Sequence, residues 1–337
     1  MMKELNVIYL ADNNYVPYAG VSLLSLFENN KQAEKIKVYY MAHALEKENI
    51  VKLEKLVDQY KREIQFIDTK DIDDFLEKQK VPKYLGKSYA SLYRWFAIGK
   101  IKDDIEYAIY IDADTVIQKG LEKIDTVLYQ EKPVYMAIDY MWDFYKQEIN
   151  MEVSDKYYNT GVILFDVKKW KKDMYEQQII NFIKNEEMNF VFYEQDMANI
   201  VMKNAIGMLP LKYNAYAILR WLKPENLCKA IGLNEDNYYT CDEIKRSYNE
   251  AIVLHCSVYD GTRPWNRNTN HPYREQFDMY MQMSPWKDFE KKKVDIGVSR
   301  TIQKILHKIL PQALFCPILR LGQYLHFKKL CGNLKES

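Results

Sequence analysis

Cysteine is scarce and unpatterned in this chain. Cys228, Cys241, Cys256, Cys316 and Cys331 are scattered, odd in number, and nowhere spaced as Cys-x-x-Cys. Such a set excludes a disulfide framework and a thiolate zinc site, and it points to a reducing compartment. Long apolar runs are also missing: none reaches the length that crossing a bilayer requires. The opening MMKELNVIYLADNN goes from a short apolar run straight into polar residues, unlike a signal peptide, so a cytoplasmic protein is expected. Excess charge of either sign is absent. Lys+Arg 48 against Asp+Glu 47 leaves +1, which removes any general attraction to nucleic acid. No repeat or low-complexity tract appears.

What remains is an ordinary globular composition with an apolar share of 48% and an unusual 28 tyrosines, over a length that suits one large α/β domain or two smaller ones. LNVIYL, KIKVYYMA and EIQFID read as strands, separated by the helical spacing of YAGVSLLSLFEN and EKENIVKLEKLVDQY. This alternation is the mark of a parallel sheet covered by helices. Further strands are expected at YAIYID, PVYMAID, TGVILFDV and AIVLHC. Helices are expected at SYASLYRWFAIGKI, at VKKWKKDMYEQQIINFIKN as one unit, and at EQDMANIVMKN. Residues 220–249 carry little pattern and read as an insertion or loop-rich flap.

YAIYIDADTVI sets Asp112 and Asp114 at a strand end, one residue apart. Strand alternation would send both carboxylates the same way, where they repel and lose water. That placement suits packing poorly and suits holding a cation or a proton. Three readings are open: turn aspartates, ligands of Mg²⁺ or Mn²⁺ bridging to a diphosphate, or the nucleophile pair of a haloacid-dehalogenase-like phosphotransferase. The last wants Asp-x-Asp-x-Thr, but Thr115 stands one place early and Val116 fills the threonine position. His255, ending a late strand in IVLHCSVYDGTRPW, offers an imidazole that suits Mn²⁺.

Taken in order, YLADNNYVPYAGVSLLSL, YRWFAIGKI, YIDADTVI, AIDY, YYNTGVILFDVKKW, YEQDMAN, LPLKYNAY and HCSVYDGTRPW resemble family 8 of the retaining glycosyltransferases over most of residues 5–268. The resemblance implies a GT-A type fold: a Rossmann-like, mostly parallel α/β sheet flanked by helices, over residues 1–290. It also implies a UDP-sugar donor and Mn²⁺, with Mg²⁺ as the alternative. Carried over, Asp12 accepts from the uracil N–H, Asn14 contacts the nucleoside and Tyr15 stacks on the base. Asp112, Asp114 and His255 hold the cation, with Ala113 between the aspartates. Arg94, Asp139, Asn159, Thr160, Glu194 and Gln195 surround the donor sugar. Gln195 lies beneath the anomeric carbon, where an amide is a feeble nucleophile. Front-face attack is favoured, with Glu194 as the alternative nucleophile.

Two departures stand out. The segment from His255 to Trp265 is about two residues longer than the family pattern, displacing Gly261, and Arg263 replaces a lysine expected on the diphosphate. Arginine can still grip phosphate bidentately. Thr160 stands where a smaller residue is frequent. Beyond a boundary near residue 290 the chain is basic and amphipathic, and Pro311 and Pro317 should break it into short pieces. This tail reads either as an appendage packed on the domain or as an interfacial anchor on anionic lipid. The expectation is a transferase moving galactose or glucose to a glycan or lipid-linked acceptor in cell-surface polysaccharide synthesis. Against it stand the phosphotransferase and a non-catalytic glycan- or nucleotide-binding relative at the membrane surface.

Overall fold

The computed structural model describes residues 4–42, 44–83, 88–102, 104–186 and 188–336, with side chains through residue 332. Seven strands form the main sheet: β1 (Glu4–Leu10), β2 (Lys35–Ala42), β3 (Glu63–Asp68), β4 (Tyr107–Ile111), β6 (Val134–Ile138), β7 (Tyr158–Asp166) and β8 (Ile206–Met208). Their spatial order is β3-β2-β1-β4-β7-β6-β8, and β5 (Thr115–Ile117), β10 (Val253–His255) and β9 (Ala215–Tyr216) form a small second sheet in that order. Only β7 runs against the rest of the main sheet, pairing antiparallel with both β4 and β6. Val7 and Ile8 of β1 lie beside Ile109 and Tyr110 of β4 in parallel register. The strand order therefore reverses between β1 and β4, and in such sheets the crevice at the carboxyl ends of the strands receives ligands. Asp12 and Asp112 follow those two ends, Asp139 follows β6, and the reversed β7 brings its start, Asn159 and Thr160, to the same edge.

Helix Val16–Asn29 follows β1 with Pro17 in its first turn, where the missing N–H costs nothing. It is buried along most of its length, which requires small residues: a Cβ on Gly20 would stand 2.2 Å from the Trp286 ring. A buried hydroxyl chain, Tyr9 to Ser22 at 2.8 Å and Ser22 to Thr115 at 2.7 Å, ties β1, this helix and β5 together.

Several expectations need correction. Asp112 and Asp114 are not strand neighbours; they bracket the turn where the chain leaves β4 for β5, so turn geometry rather than pleat alternation brings them together. Residues 90–100 form a 3₁₀ segment and one short helical turn. The helix expected from Val167 is two, Val167–Lys172 and Tyr175–Asn185, because Met174 adopts φ 53°. Residues 220–249 are largely helical, as Pro224–Ile231 and Cys241–Glu250, the second capped reciprocally by Thr240 and Glu243. Strands β5, β8 and β9 had no legible signal, being two or three residues long. After helix Gly297–Ile309, Pro311 does interrupt the chain, but Pro317 lies inside helix Gln312–Glu336.

Candidate active site

The carboxylates of Asp112 and Asp114 and the imidazole of His255 each present an atom within 4.8 Å of the others. β10 carries His255 in by pairing antiparallel with β5, so that His255 lies opposite Thr115, the residue after Asp114. Its Nε2 stands 3.5 Å from Asp114 Oδ1 and 3.9 Å from Asp112 Oδ2.

The protonation of that ring follows from its neighbours. The Gly161 amide, which can only donate, donates to Asn159 Oδ1 at 2.9 Å, and this fixes which way the Asn159 amide faces. Asn159 Nδ2 then donates to Asp139 (2.8 Å), while Asn214 Nδ2 donates to Asn159 Oδ1 (2.8 Å). Asn214 thus turns its Oδ1 toward His255, whose Nδ1–H donates to it at 2.9 Å. Nε2 is left facing the two aspartates; burial opposes a charge on the ring, but their charges outweigh it and raise the ring's pKa. This is the arrangement a histidine ligand needs, with its far nitrogen anchored. Gly161 also makes room for the ring, since a Cβ there would meet His255 Cε1 at 2.5 Å.

Two guanidinium groups flank the carboxylates. Arg94, buried, sits 3.2 Å from Asp112 Oδ1 and 3.7 Å from Glu194 Oε1, donates to Thr160 O at 2.6 Å, and lies over the Tyr110 ring. The Tyr110 hydroxyl donates to Asp112. Arg263 donates to Asp114 and to Cys256 O (2.8 Å) and stands over Trp265. Burial opposes ionisation of Asp114, but Arg263 and His255 outweigh it and hold the carboxyl well below the usual range. Two carboxylates and an imidazole that would give up its Nε2 proton to a cation make a hard oxygen and nitrogen donor set, which fits Mn²⁺.

Glu194 and Gln195 open helix Glu194–Val201 immediately after Tyr193, a non-glycine residue at φ 48°. Glu194 accepts from Trp95 Nε1 (3.1 Å) and Thr160 Oγ1 (3.0 Å), and burial pushes its pKa up to about 7 against the pull of Arg94. Both ends of the Gln195 amide are engaged, Oε1 accepting from the Thr160 amide (3.2 Å) and Nε2 donating to Asp139 (3.0 Å). Asp12 accepts from the amides of Asn14 and Tyr15, at 3.0 Å each, which closes the turn into the following helix. It borders a cavity of about 200 Å³ with Met41 and Tyr93. Tyr15 is 43% exposed, and its phenol feels the charges of Arg263, Asp114, Asp12 and Asp112.

The structure thus gathers Arg94, Asp112, Asp114, Asp139, Asn159, Thr160, Glu194, Gln195, His255 and Arg263 into one connected cluster, with Ala113 buried between the aspartates. Gly261 lies apart from this network. The extra length after His255 is a two-residue hairpin: Tyr259 and Thr262 exchange backbone hydrogen bonds at 2.9 Å, with Asp260 (φ 52°) and Gly261 (φ 76°) at its tip. Sequence reasoning passed over Asn214, Gly161 and Tyr110, although all three stand in quoted segments, LPLKYNAY, YYNTGVILFDVKKW and YAIYIDADTVI. It also passed over Asp196, which accepts from the hydroxyls of Tyr145 and Tyr157 at 2.5 Å each and anchors the helix that carries Gln195.

Residues 6–269 match the family model for glycosyl transferase family 8, and the chain belongs to that family. It is 28% identical over 289 residues to general stress protein A of Bacillus subtilis (strain 168), covering 84% of this chain and 94% of that protein. To a lipopolysaccharide 1,2-glucosyltransferase of Escherichia coli it is 24% identical over 300 residues, covering 86% and 82%. Among solved structures, the galactosyltransferase LgtC bound to donor and acceptor sugar analogs superposes with a TM-score of 0.62 at 18% identity, covering 83% of this chain and 96% of that one. The apo bifunctional glycosyltransferase WbbM gives 0.67 at 17%, covering 85% of this chain and 50% of its own length. The fold is of the GT-A type. The phosphotransferase reading of Asp112 finds no support in this membership.

Proposed function

We propose that the protein is a retaining hexosyltransferase that takes galactose or glucose from a UDP-sugar and passes it to a glycan or lipid-linked acceptor in cell-surface polysaccharide synthesis. The observation that carries this reading is the convergence of Asp112, Asp114 and His255 with Nε2 turned inward by the Asn214–Asn159 chain. These three residues would hold Mn²⁺, with Mg²⁺ the alternative, and the cation would supply positive charge against the leaving diphosphate. Arg263 stands ready to move from Asp114 onto a phosphate oxygen. Asp12, Asn14 and Tyr15 bind the nucleoside, and Arg94, Asp139 and Thr160 orient the sugar.

The tethered amide of Gln195 supports front-face attack, because neither of its ends is free to rotate into a nucleophile. Glu194, only about half ionised near neutral pH and fixed by Trp95 and Thr160, is also a poor nucleophile. We assign residues 1–290 to the catalytic domain and the remainder to a tail that touches the cytoplasmic face of the membrane. Val298, Ile302, Ile305 and Ile309 on one helix, and Leu314, Ile318, Leu321 and Leu325 on the next, form exposed apolar rows. Seven cations and a single acid accompany them after Asp295, a composition suited to anionic lipid. Among the described residues no helix is long and apolar enough to cross a membrane.

The reading is tested by incubating purified full-length protein with a panel of UDP-sugars and following UDP release. One UDP-hexose should be cleaved with Mn²⁺, and chelation should stop it. UDP-sugar binding and cleavage indifferent to the cation would overturn the assignment.

A further inference from the structure

A cavity of about 350 Å³, at the small end of ligand sites, opens beside Asp139, the residue that joins Asn159 to Gln195. Its walls come from three parts of the chain. Phe192 and Trp221 belong to the catalytic body, Asp260 to the hairpin tip, and Lys304, Gln323 and Phe327 to the two C-terminal helices. The lining is mostly apolar and aromatic. Yet Trp221 Nε1 and Asp260 Oδ1 are buried without a hydrogen-bond partner, a donor and an acceptor in one wall system.

The helices are firmly seated there. Arg320 forks onto Asp143 at 2.8 and 2.6 Å and donates to Ala230 O at 3.0 Å. His307 Nε2 bonds to Trp221 O at 3.0 Å, and Phe327 packs on Tyr145, the partner of Asp196. Lys304 pairs with Asp260 at 3.5 Å, and Ile296 covers the face of Gly261. The hairpin tip at Asp260 and Gly261 is therefore one of the places where the body meets the tail.

We infer that the C-terminal helices form one wall of the acceptor site and select a glycoside with an apolar aglycone. This inference rests on the transferase reading above. The sugar hydroxyls, which both donate and accept, pair with Arg300 and Gln323 on the cavity wall. The aglycone runs between Phe192 and Phe327, and the reacting hydroxyl sits near Asp139. The inner face of the tail then recognises the acceptor whose lipid part its outer face meets.

The test uses the full-length protein and octyl and methyl glucosides and galactosides, kept below the micellar range. Direct binding is followed by calorimetry, and transfer is compared with donor hydrolysis. At least one octyl glycoside should bind about tenfold more tightly than its methyl counterpart, a gain that burial of about two methylenes provides. Gln323→Trp, which fills the cavity, should weaken octyl glycoside binding and lower the ratio of transfer to hydrolysis by about tenfold. Lys304→Ala should lower both by about threefold, and a thermal melt of each variant confirms folding. Failure of every octyl glycoside to bind, equal binding of octyl and methyl forms, or binding untouched in both variants would overturn the inference. Glycoside binding that shows this pattern without any donor cleavage would support the cavity and instead sink the transferase reading.

Discussion

At one end of the cleft Asp139, Asn159, Asn214 and His255 hold each other in a directed chain of hydrogen bonds, whereas the cavity beneath the C-terminal helices leaves Trp221 Nε1 and Asp260 Oδ1 unpartnered. The first region is pre-organised: few side chains could move without breaking a bond whose polarity is already set. The second is held by ring packing and ion pairs around a hollow. A cation site needs atoms fixed within fractions of an ångström, while an acceptor site can tolerate slack that its ligand takes up. On the proposed reading, donor chemistry is built into the sheet edge and acceptor choice is delegated to peripheral helices.

The contrast is broken most severely at Asp114. Asn in its place removes a ligand and leaves Arg263 without its anion, so Mn²⁺-dependent UDP release should fall on the order of 10³-fold, as measured by steady-state kinetics with the thermal melt as a folding control. Substitutions one step back sharpen the comparison. Asn214→Ala and Gly161→Ala leave all three ligands in place but free or displace the His255 ring. Each should weaken Mn²⁺ binding about 10- to 100-fold in a calorimetric titration, and unchanged affinity in both would show that the chain does not orient the ligand.

His271 tests the region linking the two ends. It donates from Nε2 to Ser257 O and accepts at Nδ1 from the Tyr273 amide, so it is locked neutral, and burial lowers its pKa to about 4. The unfolded chain binds the extra proton between pH 6.5 and 4, so this histidine's contribution to stability is lost as pH falls through that window. The buried carboxyls Glu194 and Asp196, with raised pKa values, slope the opposite way. The useful quantity is therefore the difference between wild type and His271→Gln, which should shift by about 3 kcal/mol between pH 7 and 4 in urea melts. The smallest effect is expected at the outer tail. Lys328→Glu with Lys329→Glu should weaken binding to phosphatidylserine vesicles by about 1 kcal/mol per lost cation, and leave neutral vesicles unaffected.

The same contrast explains what could be read from sequence. Strands β1, β2, β4, β6 and β7 were legible because each buries a continuous apolar run, and Asp112, Asp114 and His255 because their chemistry is conspicuous at strand ends. What made those residues a site was less visible. Strands β5 and β9, which flank β10 and complete the small sheet around His255, span two or three residues each, too few for periodicity to register. Asn214 and Gly161 drew no notice, since nothing in their local sequence reveals a partner more than forty positions away. Pro317 misled because it removes a single helical hydrogen bond, to the carbonyl of Ala313, and contacts such as Phe315 on Trp221 and Arg320 on Asp143 hold the helix on either side of it. Residues 220–249 did carry a readable pattern: Leu227, Ala230 and Ile231 in the first helix and Ile244 and Ser247 in the second are buried at helical spacing, a signal obscured by the polar residues between them.

The central claim is tested most directly by pulsed electron paramagnetic resonance on Mn²⁺ bound to the full-length protein in the presence of UDP. The account predicts a nitrogen modulation from a directly coordinated imidazole, absent in His255→Gln. Mn²⁺ bound with no nitrogen coupling, or with the same coupling in the variant, would contradict it.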